Sequence, residues 1–255
     1  MGSFEQQLHV SLAVAGLGTA AAVFVVLFFV TAPYGRHTRA GWGPTVRSSA
    51  GWLVMESPAV LVFAVCFFAG NRFAVQGTLV FLVLWQLHYV HRAFIYPFRM
   101  RNFGKRMPLT VVLMAVAFNV FNGYLNGRYL GAHADRYPAE WFYDPRFLIG
   151  TGLFFVGFTI NLHADQVLFR LRSGGEQGYR IPFGGLYRWI SCPNYLGELL
   201  EWFGWAVATW SVPGLVFAVW TVANLVPRAR ANHRWYVERF DDYPKNRKAL
   251  IPGLF

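Results

Sequence analysis

Charge is scarce in this chain, and acidic charge scarcest of all. Only 12 Asp and Glu stand against 23 Lys and Arg in 255 residues, and charged residues make up 14% of the total. Soluble domains usually carry about 25%, so the composition argues against an ordinary water-soluble domain. Cysteine is nearly absent. Cys66 and Cys192 form no CxxC pair, which excludes a thiolate zinc site and a thioredoxin-like motif. One lies in an apolar run and the other in a polar loop, so no disulfide is expected. The chain also lacks GxSxG, GxxxxGKS/T and GxGxxG, so any nucleotide site is neither a P-loop nor a Rossmann fold. No Pro/Gly/Ser-rich linker, low-complexity tract or internal repeat divides the sequence, and a single domain over residues 1–255 is expected. The net charge of +11 comes without a nucleic-acid-binding motif, which sets nucleic acid aside as the main partner.

What is abundant is apolar surface: 55% hydrophobic residues, 18% aromatic, and a mean hydropathy of +0.34. A bilayer is crossed by roughly 20 apolar residues in a helix. Seven runs approach that standard, at residues 8–32, 52–70, 73–90, 108–126, 147–162, 195–212 and 214–226. The last is short unless the polar residues after it extend it, and the fifth could be a shorter buried helix, so six spans stay open. The first run has no basic leader, Glu5 being its sole charged neighbour before Arg36, and reads as a retained helix rather than a signal peptide. The expected fold is an all-α polytopic membrane protein, seven transmembrane helices in one bundle. Lys and Arg collect in cytoplasmic loops. Here 19 of the 23 follow runs one, three, five and seven, and only Arg72, Arg128, Arg136 and Arg146 lie on the other side. The N-terminus is therefore expected in the periplasm or lumen and the C-terminus in the cytoplasm. The membrane would be a bacterial inner membrane, or the endoplasmic reticulum in a eukaryote.

Against that apolar background Glu56, Glu198 and Glu201 stand out. An ionised carboxylate in hydrocarbon costs at least about 2.5–3.5 kcal/mol, so each should face a partner or a wet cavity. The topology brings them to one level with His88, Tyr89 and His91 from the third run, Asn161, His163 and Asp165 from the fifth, Asn194 from the sixth, and Asn224 and Arg228 from the seventh. A pocket open to the cytosol accounts for this convergence. Blander readings stand beside it. Glu198 and Glu201, three apart on one helix face, could be interhelical glue. His88 and His91 form a lone HxxH, more readily satisfied helix-end histidines than metal ligands, and no metal is expected. Cys192 reads as a packed small residue.

These residues sit in ordered motifs. Residues 161–165 read Asn-Leu-His-Ala-Asp, 178–185 Gly-Tyr-Arg-Ile-Pro-Phe-Gly-Gly, 194–198 Asn-Tyr-Leu-Gly-Glu, followed by Glu201-Trp202, 208–211 Ala-Thr-Trp-Ser, and 242–252 Asp-Tyr-Pro-Lys-Asn-Arg-Lys-Ala-Leu-Ile-Pro. Upstream come Tyr34-Gly-Arg-His-Thr, Trp52 with Glu56, and His88-Tyr-Val-His-Arg before Tyr96. In this series the chain resembles the steroid 5α-reductase family, membrane enzymes that reduce the Δ4 double bond of 3-oxo steroids with NADPH. The resemblance runs through the whole chain and is densest over 161–255, where the cofactor motifs concentrate. The absence of a eukaryotic retention signal suggests a bacterial member.

The resemblance implies roles. Glu56 and Tyr89 would be catalytic, hydrogen-bonding the steroid 3-oxo group as charge builds on it, with Trp52 lining the steroid pocket. A neutral Glu56 could donate a proton, or an ionised one could orient Tyr89; both stay open. Asn161, Asp165, Asn194 and Tyr236 match residues that hold the nucleotide. Arg172, Tyr179, Arg180 and Arg228 match positions near its adenosine and phosphates, with Arg36 a further phosphate candidate, since a guanidinium fork pairs with phosphate oxygens. Glu198 and Trp202 would shape the nicotinamide end. Asn232 stands where animal relatives have histidine, and the loop from Arg99 to Arg106 diverges from the family, with Arg99 and Arg101 carried over as further phosphate contacts. A monomer taking a steroid or related lipid from the bilayer is expected. The alternatives are a reductase of another sterol, polyprenol or enoyl substrate, an S-adenosylmethionine-dependent membrane methyltransferase, or, last, a transporter or scaffold with a polar core.

Overall fold

A computed structural model describes residues 1–70, 76–100, 104–171 and 178–255; of residues 76 and 77 it describes only the backbone. The chain is mostly helix. In order come α1 (Ser3–Phe29), α2 (Ser48–Phe68), α3 (Gln76–Val90), α4 (Tyr96–Arg99), α5 (Leu109–Ala132), α6 (Pro145–Leu171), α7 (Pro193–Thr209) and α8 (Val212–Arg239). Between α3 and α4 the helix continues through a π-helical turn, His91–Ile95. Six of these stretches are long and apolar enough to cross a membrane: Ser3–Phe29, Ser48–Phe68, Thr78–Arg99, Leu109–Ala132, Pro145–Leu171 and Val212–Arg239. At 17 residues, α7 is shorter than any of these six.

Two helices outrun their apolar cores. The fifth apolar run ends near residue 162, yet α6 continues to Leu171, because Asn161 and Asp165 lie on its buried face. The last run ends near 226, yet α8 reaches Arg239 with Arg228, Asn232 and Tyr236 buried. Polar residues extend a helix here because protein, not lipid, receives them. A short antiparallel ribbon, β1 (Thr45–Arg47) with β2 (Arg106–Pro108), pairs Val46 with Met107 and departs from the all-helical expectation. Three-residue strands flanked by helices give no alternating run long enough to register in sequence.

Close packing comes from glycine. Gly123, Gly127 and Gly131 repeat every fourth residue along α5, and a Cβ at Gly123 would lie 3.1 Å from the backbone nitrogen of Phe63 on α2. Gly150 and Gly157 of α6 interlock with Gly197 and Gly204 of α7, so that a Cβ at Gly204 would sit 2.5 Å from the Gly150 carbonyl and the Phe154 nitrogen. Small residues let backbones approach where lipid supplies no hydrophobic drive. Between these pairs lies an aromatic core in which Phe63, Phe81, Trp85, Trp202 and Trp205 are fully buried beside Tyr89 and Phe217. α1 buries only His9, Ala13, Gly16 and Ala20, and its outer face carries exposed Val14, Val25 and Phe29.

Candidate active site

The buried polar residues form three connected layers at the end of the bundle where α2 begins and α6 finishes. The outermost is a cleft of about 430 Å³. Arg36, just after α1, lies over three aromatic rings, with its guanidinium carbon 4.4 Å from the centroid of Tyr236, 4.9 Å from Trp235 and 5.3 Å from Tyr179. Its Nη1 is buried and has no hydrogen-bond partner among the described residues. Lys105 Nζ stands 4.1 Å above the Tyr179 ring. Arg228 lies 3.5 Å over Tyr34 and donates to the Tyr195 hydroxyl (3.1 Å) and to the carbonyls of Tyr34 (3.1 Å) and Ala32 (3.3 Å). Asn232 receives a hydrogen bond from His37 Nε2 at 2.9 Å and donates to Tyr195 at 3.3 Å. Burial holds the His37 imidazole down at about 4, so the ring is neutral at pH 7. Burial likewise pushes the Cys192 thiol up to about 11, which agrees with a packed residue and not a nucleophile.

The middle layer is Arg92. It emerges from the π turn between the rings of Trp52 and Tyr96, 4.6 Å from each centroid. Its guanidinium faces Asp165 at 3.7 Å and Glu198 at 3.8 Å. Asn194 donates to Asp165 at 3.3 Å, and Asn161 donates to the Asn194 carbonyl at 3.0 Å. One arginine thereby ties α3 to α6 and α7.

The deepest layer holds Glu56 and Tyr89. Glu56 is half-buried and accepts a hydrogen bond from Asn119 of α5 at 3.2 Å. It lies within electrostatic reach of Arg92, Glu198 and His88, and Tyr89 within reach of Glu56, Glu198 and Glu201. The Tyr89 ring packs against Trp85, His88, Trp202 and Phe217. Beside it His88 Nδ1 meets Glu201 Oε1 at 2.7 Å, both side chains buried. Among the described residues no three His, Cys, Asp or Glu gather where they could hold a metal ion.

Of the residues singled out in sequence, Arg36, Trp52, Tyr179, Asn194, Arg228 and Tyr236 line the cleft. Asp165, Asn161 and Glu198 lie behind it, joined through Arg92 and Asn194. Trp202 is in the aromatic core. Arg180 is exposed and lies outside the lining, Arg99 bonds Gln166 on α6, and Arg172 and Arg101 fall outside the described residues. Sequence reasoning passed over three participants. Arg92 stands in the sequence as a loop cation and as the end of the His88-Tyr-Val-His-Arg motif, with no role of its own, although it sits one helical turn after His88. Lys105 and Tyr195 carried no separate signal. The pairing of His88 with Glu201 also joins two residues that looked merely odd.

Comparison with known proteins adds the following. The profile of the family described as 3-oxo-5-alpha-steroid 4-dehydrogenase matches residues 105–255. The chain is 45% identical over 236 residues to "Steroid 5-alpha-reductase DET2" of Gossypium hirsutum, covering 91% of this chain and 92% of the relative. It is 41% identical over 256 residues to "3-oxo-5-alpha-steroid 4-dehydrogenase 1" of Homo sapiens, covering 100% and 98%. The Macaca fascicularis protein of that name is 45% identical over 224 residues, covering 87% and 84%. These relatives are eukaryotic, so they lend the bacterial expectation no support.

Proposed function

The chain belongs to the 3-oxo-5-alpha-steroid 4-dehydrogenase family, and on that premise we propose that it reduces the Δ4 double bond of 3-oxo-Δ4 steroids with NADPH, giving 5α-dihydro products. The observation that carries the reading is the layered site: a cation–aromatic cleft joined through Arg92 to a half-buried Glu56 beside Tyr89.

A phosphorylated nucleotide fits the residues of the cleft. Arg36 brings a buried Nη1 with no partner among the described residues into a ring of aromatic surface, and Lys105 and Arg228 add cations. Guanidinium and ammonium groups bind phosphate oxygens, and aromatic faces receive a base. Arg36, Tyr179, Asn194, Arg228 and Tyr236 would hold the cofactor, with Asn161, Asp165, Glu198, Trp202 and the flanking Arg172 and Arg180 supporting it. NADPH, when bound, supplies the hydride for the β-carbon of the enone.

The protein's part is to hold the ketone and stabilise the charge that gathers on its oxygen. Tyr89 donates a hydrogen bond to that oxygen, and the α-carbon takes the balancing proton from solvent. Glu56, oriented by Asn119, either donates beside it or aligns the phenol. Donors preset at a developing oxyanion are worth about 10²–10³ in rate each. Trp52 closes one wall between the two ligands. Glu201 fixes the His88 ring against Tyr89 and Trp202, which limits how the phenol can turn.

We further read the bundle as one domain with seven spans. In it α7 crosses in a thin or tilted segment between α6 and α8, the N-terminus faces the lumen or periplasm, and the site opens to the cytosol. The partners are the bilayer and the lipid substrate, and the protein acts as a monomer. A second reductase reading, with another enone-bearing isoprenoid, keeps the same roles. Purified protein in detergent, NADPH and progesterone test the proposal by product mass and stereochemistry. A 5α-dihydro product, lost on Glu56→Gln, supports it; NADPH oxidation absent from folded protein with any enone of a panel overturns it.

A further inference from the structure

On the other side of the loop that carries Tyr179 lies a second and larger concavity, about 850 Å³, which none of the roles above uses. Its walls come from Thr159, Ile160 and His163 on α6, from Phe183, Leu186 and Trp189 in the loop, and from Arg188 and Arg247. Asn161 and Asp165 point inward from α6 to the site just described, so the groove occupies the helix's outer face. The exposed apolar residues Phe155 and Val156 lie one turn back along α6, and Phe183 and Trp189 are themselves 61% and 49% exposed. They continue the groove as an apolar track.

Arg247 makes this groove more than an unfilled surface. It lies in the 242–252 motif, for which the reductase chemistry has no use. The residue is only 3% exposed. Its guanidinium is set against the rings of Phe183 (4.8 Å) and Tyr243 (5.2 Å), and both Nε and Nη1 are buried with no hydrogen-bond partner among the described residues. A buried guanidinium with unmade donors is costly, the more so because the group is charged. Arg188 supplies further positive charge in the lining, and among the described residues no carboxylate lines the groove.

We propose that this groove binds an anionic phospholipid of the surrounding bilayer, its phosphate on Arg247 and Arg188 and an acyl chain along Ile160, Phe155 and Trp189. A doubly hydrogen-bonding fork suits a phosphodiester. The apolar track suits a chain that never leaves the membrane. The level fits as well, because α6 reaches the proposed cytosolic face at this point, where anionic headgroups lie; that clause rests on the orientation proposed above. Bound lipid would brace the loop 178–190 from behind, and that loop's opposite side forms the cleft through Tyr179 and Tyr187.

The test requires no turnover, so its outcome is independent of the reductase reading. Protein stripped of lipid in a neutral detergent is melted with added dioleoyl phosphatidylglycerol, dioleoyl phosphatidylcholine, or inorganic phosphate. Phosphatidylglycerol at about one hundred times its dissociation constant should raise the melting temperature by roughly 5–10 °C, from the linkage of binding to stability. Phosphatidylcholine and phosphate should raise it by much less. Arg247→Gln should abolish the difference. Because Arg247 is buried and its variant can fail to fold, Thr159→Trp provides an independent block: the ring fills the groove from an exposed position and should abolish the shift with the starting stability retained. Equal shifts with both lipids would reduce the groove to an apolar seat, and a full shift with phosphate alone would make it a free-anion site. Either result overturns the proposal, as does no shift at all or a shift that survives Thr159→Trp.

Discussion

Removing Arg92 should unfasten the site without touching the reacting groups. The guanidinium is 14% exposed and faces two carboxylates at 3.7 and 3.8 Å. At an effective dielectric constant of about 20, two charges at that distance interact by roughly 4–5 kcal/mol. Desolvation consumes much of that attraction, but it does not return when one partner is deleted, because Asp165 stays buried and Glu198 mostly so. Breaking such a pair from one side costs about 3–5 kcal/mol. Stacking on Trp52 and Tyr96 adds about 0.5–1 kcal/mol each. Arg92→Met should therefore lower the melting temperature in detergent by on the order of 10 °C, at roughly 2–4 °C per kcal/mol for a chain of this size. Arg92→Lys should recover less than half, since a single ammonium cannot span Asp165 and Glu198 together. Adding Glu198→Gln to Arg92→Met removes one orphaned charge and should restore about 1–2 kcal/mol, a coupling that a double-mutant cycle reads directly. A melting temperature within 2 °C of the parent for Arg92→Met, or no recovery in the double variant, would refute the view that this arginine holds the two carboxylates.

Other expectations follow from the same geometry. Tyr89→Phe should lower kcat for enone reduction by about 10²–10³ while leaving NADPH binding unchanged, measured by turnover and by cofactor fluorescence quenching; loss of binding together with rate would place Tyr89 elsewhere in the cycle. Between pH 6.5 and 4 the unfolded chain takes up a proton at His37 that the folded protein refuses, since burial holds the folded ring at about 4. Stability contributed by the neutral ring is thus complete above pH 6.5 and lost as pH falls toward 4, and melting should decline less steeply over that window in His37→Gln than in the parent. Gly204→Val should abolish the α6–α7 contact, because the added carbons meet backbone atoms of Gly150 and Phe154 that no rotamer can clear; folded yield by size-exclusion chromatography checks it, and a parental yield would count against the interlock.

The helices were legible because hydrophobic runs bounded by basic loops carry their own punctuation. The alternation of the runs places Glu56, Tyr89, Asn161, Asp165, Asn194 and Arg228 at one end of the bundle. Pairing was not legible. Nothing in the spacing of His88 and Glu201, more than a hundred residues apart, shows that one receives the other. Arg92 was hidden for a different reason: at a helix end an arginine ordinarily snorkels to water, and only the π turn beside it turns it inward. The ring of Tyr179, Trp235 and Tyr236 around Arg36 joins a loop to the last helix, a contact between segments with no shared periodicity. Arg247 looked like one more basic residue near the C-terminus, because charge counts register cations and not whether their donors are met.

The π turn has a further consequence for how this chain can change length. A residue advances an α-helix by about 100°, and the wider turn at His91–Ile95 admits one residue more than a regular helix would need there. That residue sets the angular offset between Tyr89, which looks into the aromatic core, and Tyr96, which meets Trp52 at 5.2 Å on α2. Substitutions in the turn leave the offset alone, but loss of a single residue would swing Tyr96 and everything after it about a quarter-circle around the axis, away from α2. The segment is therefore tolerant in spelling and strict in count, and natural insertions or deletions should collect in the loops on either side of this helix and leave residues 89–96 at constant length.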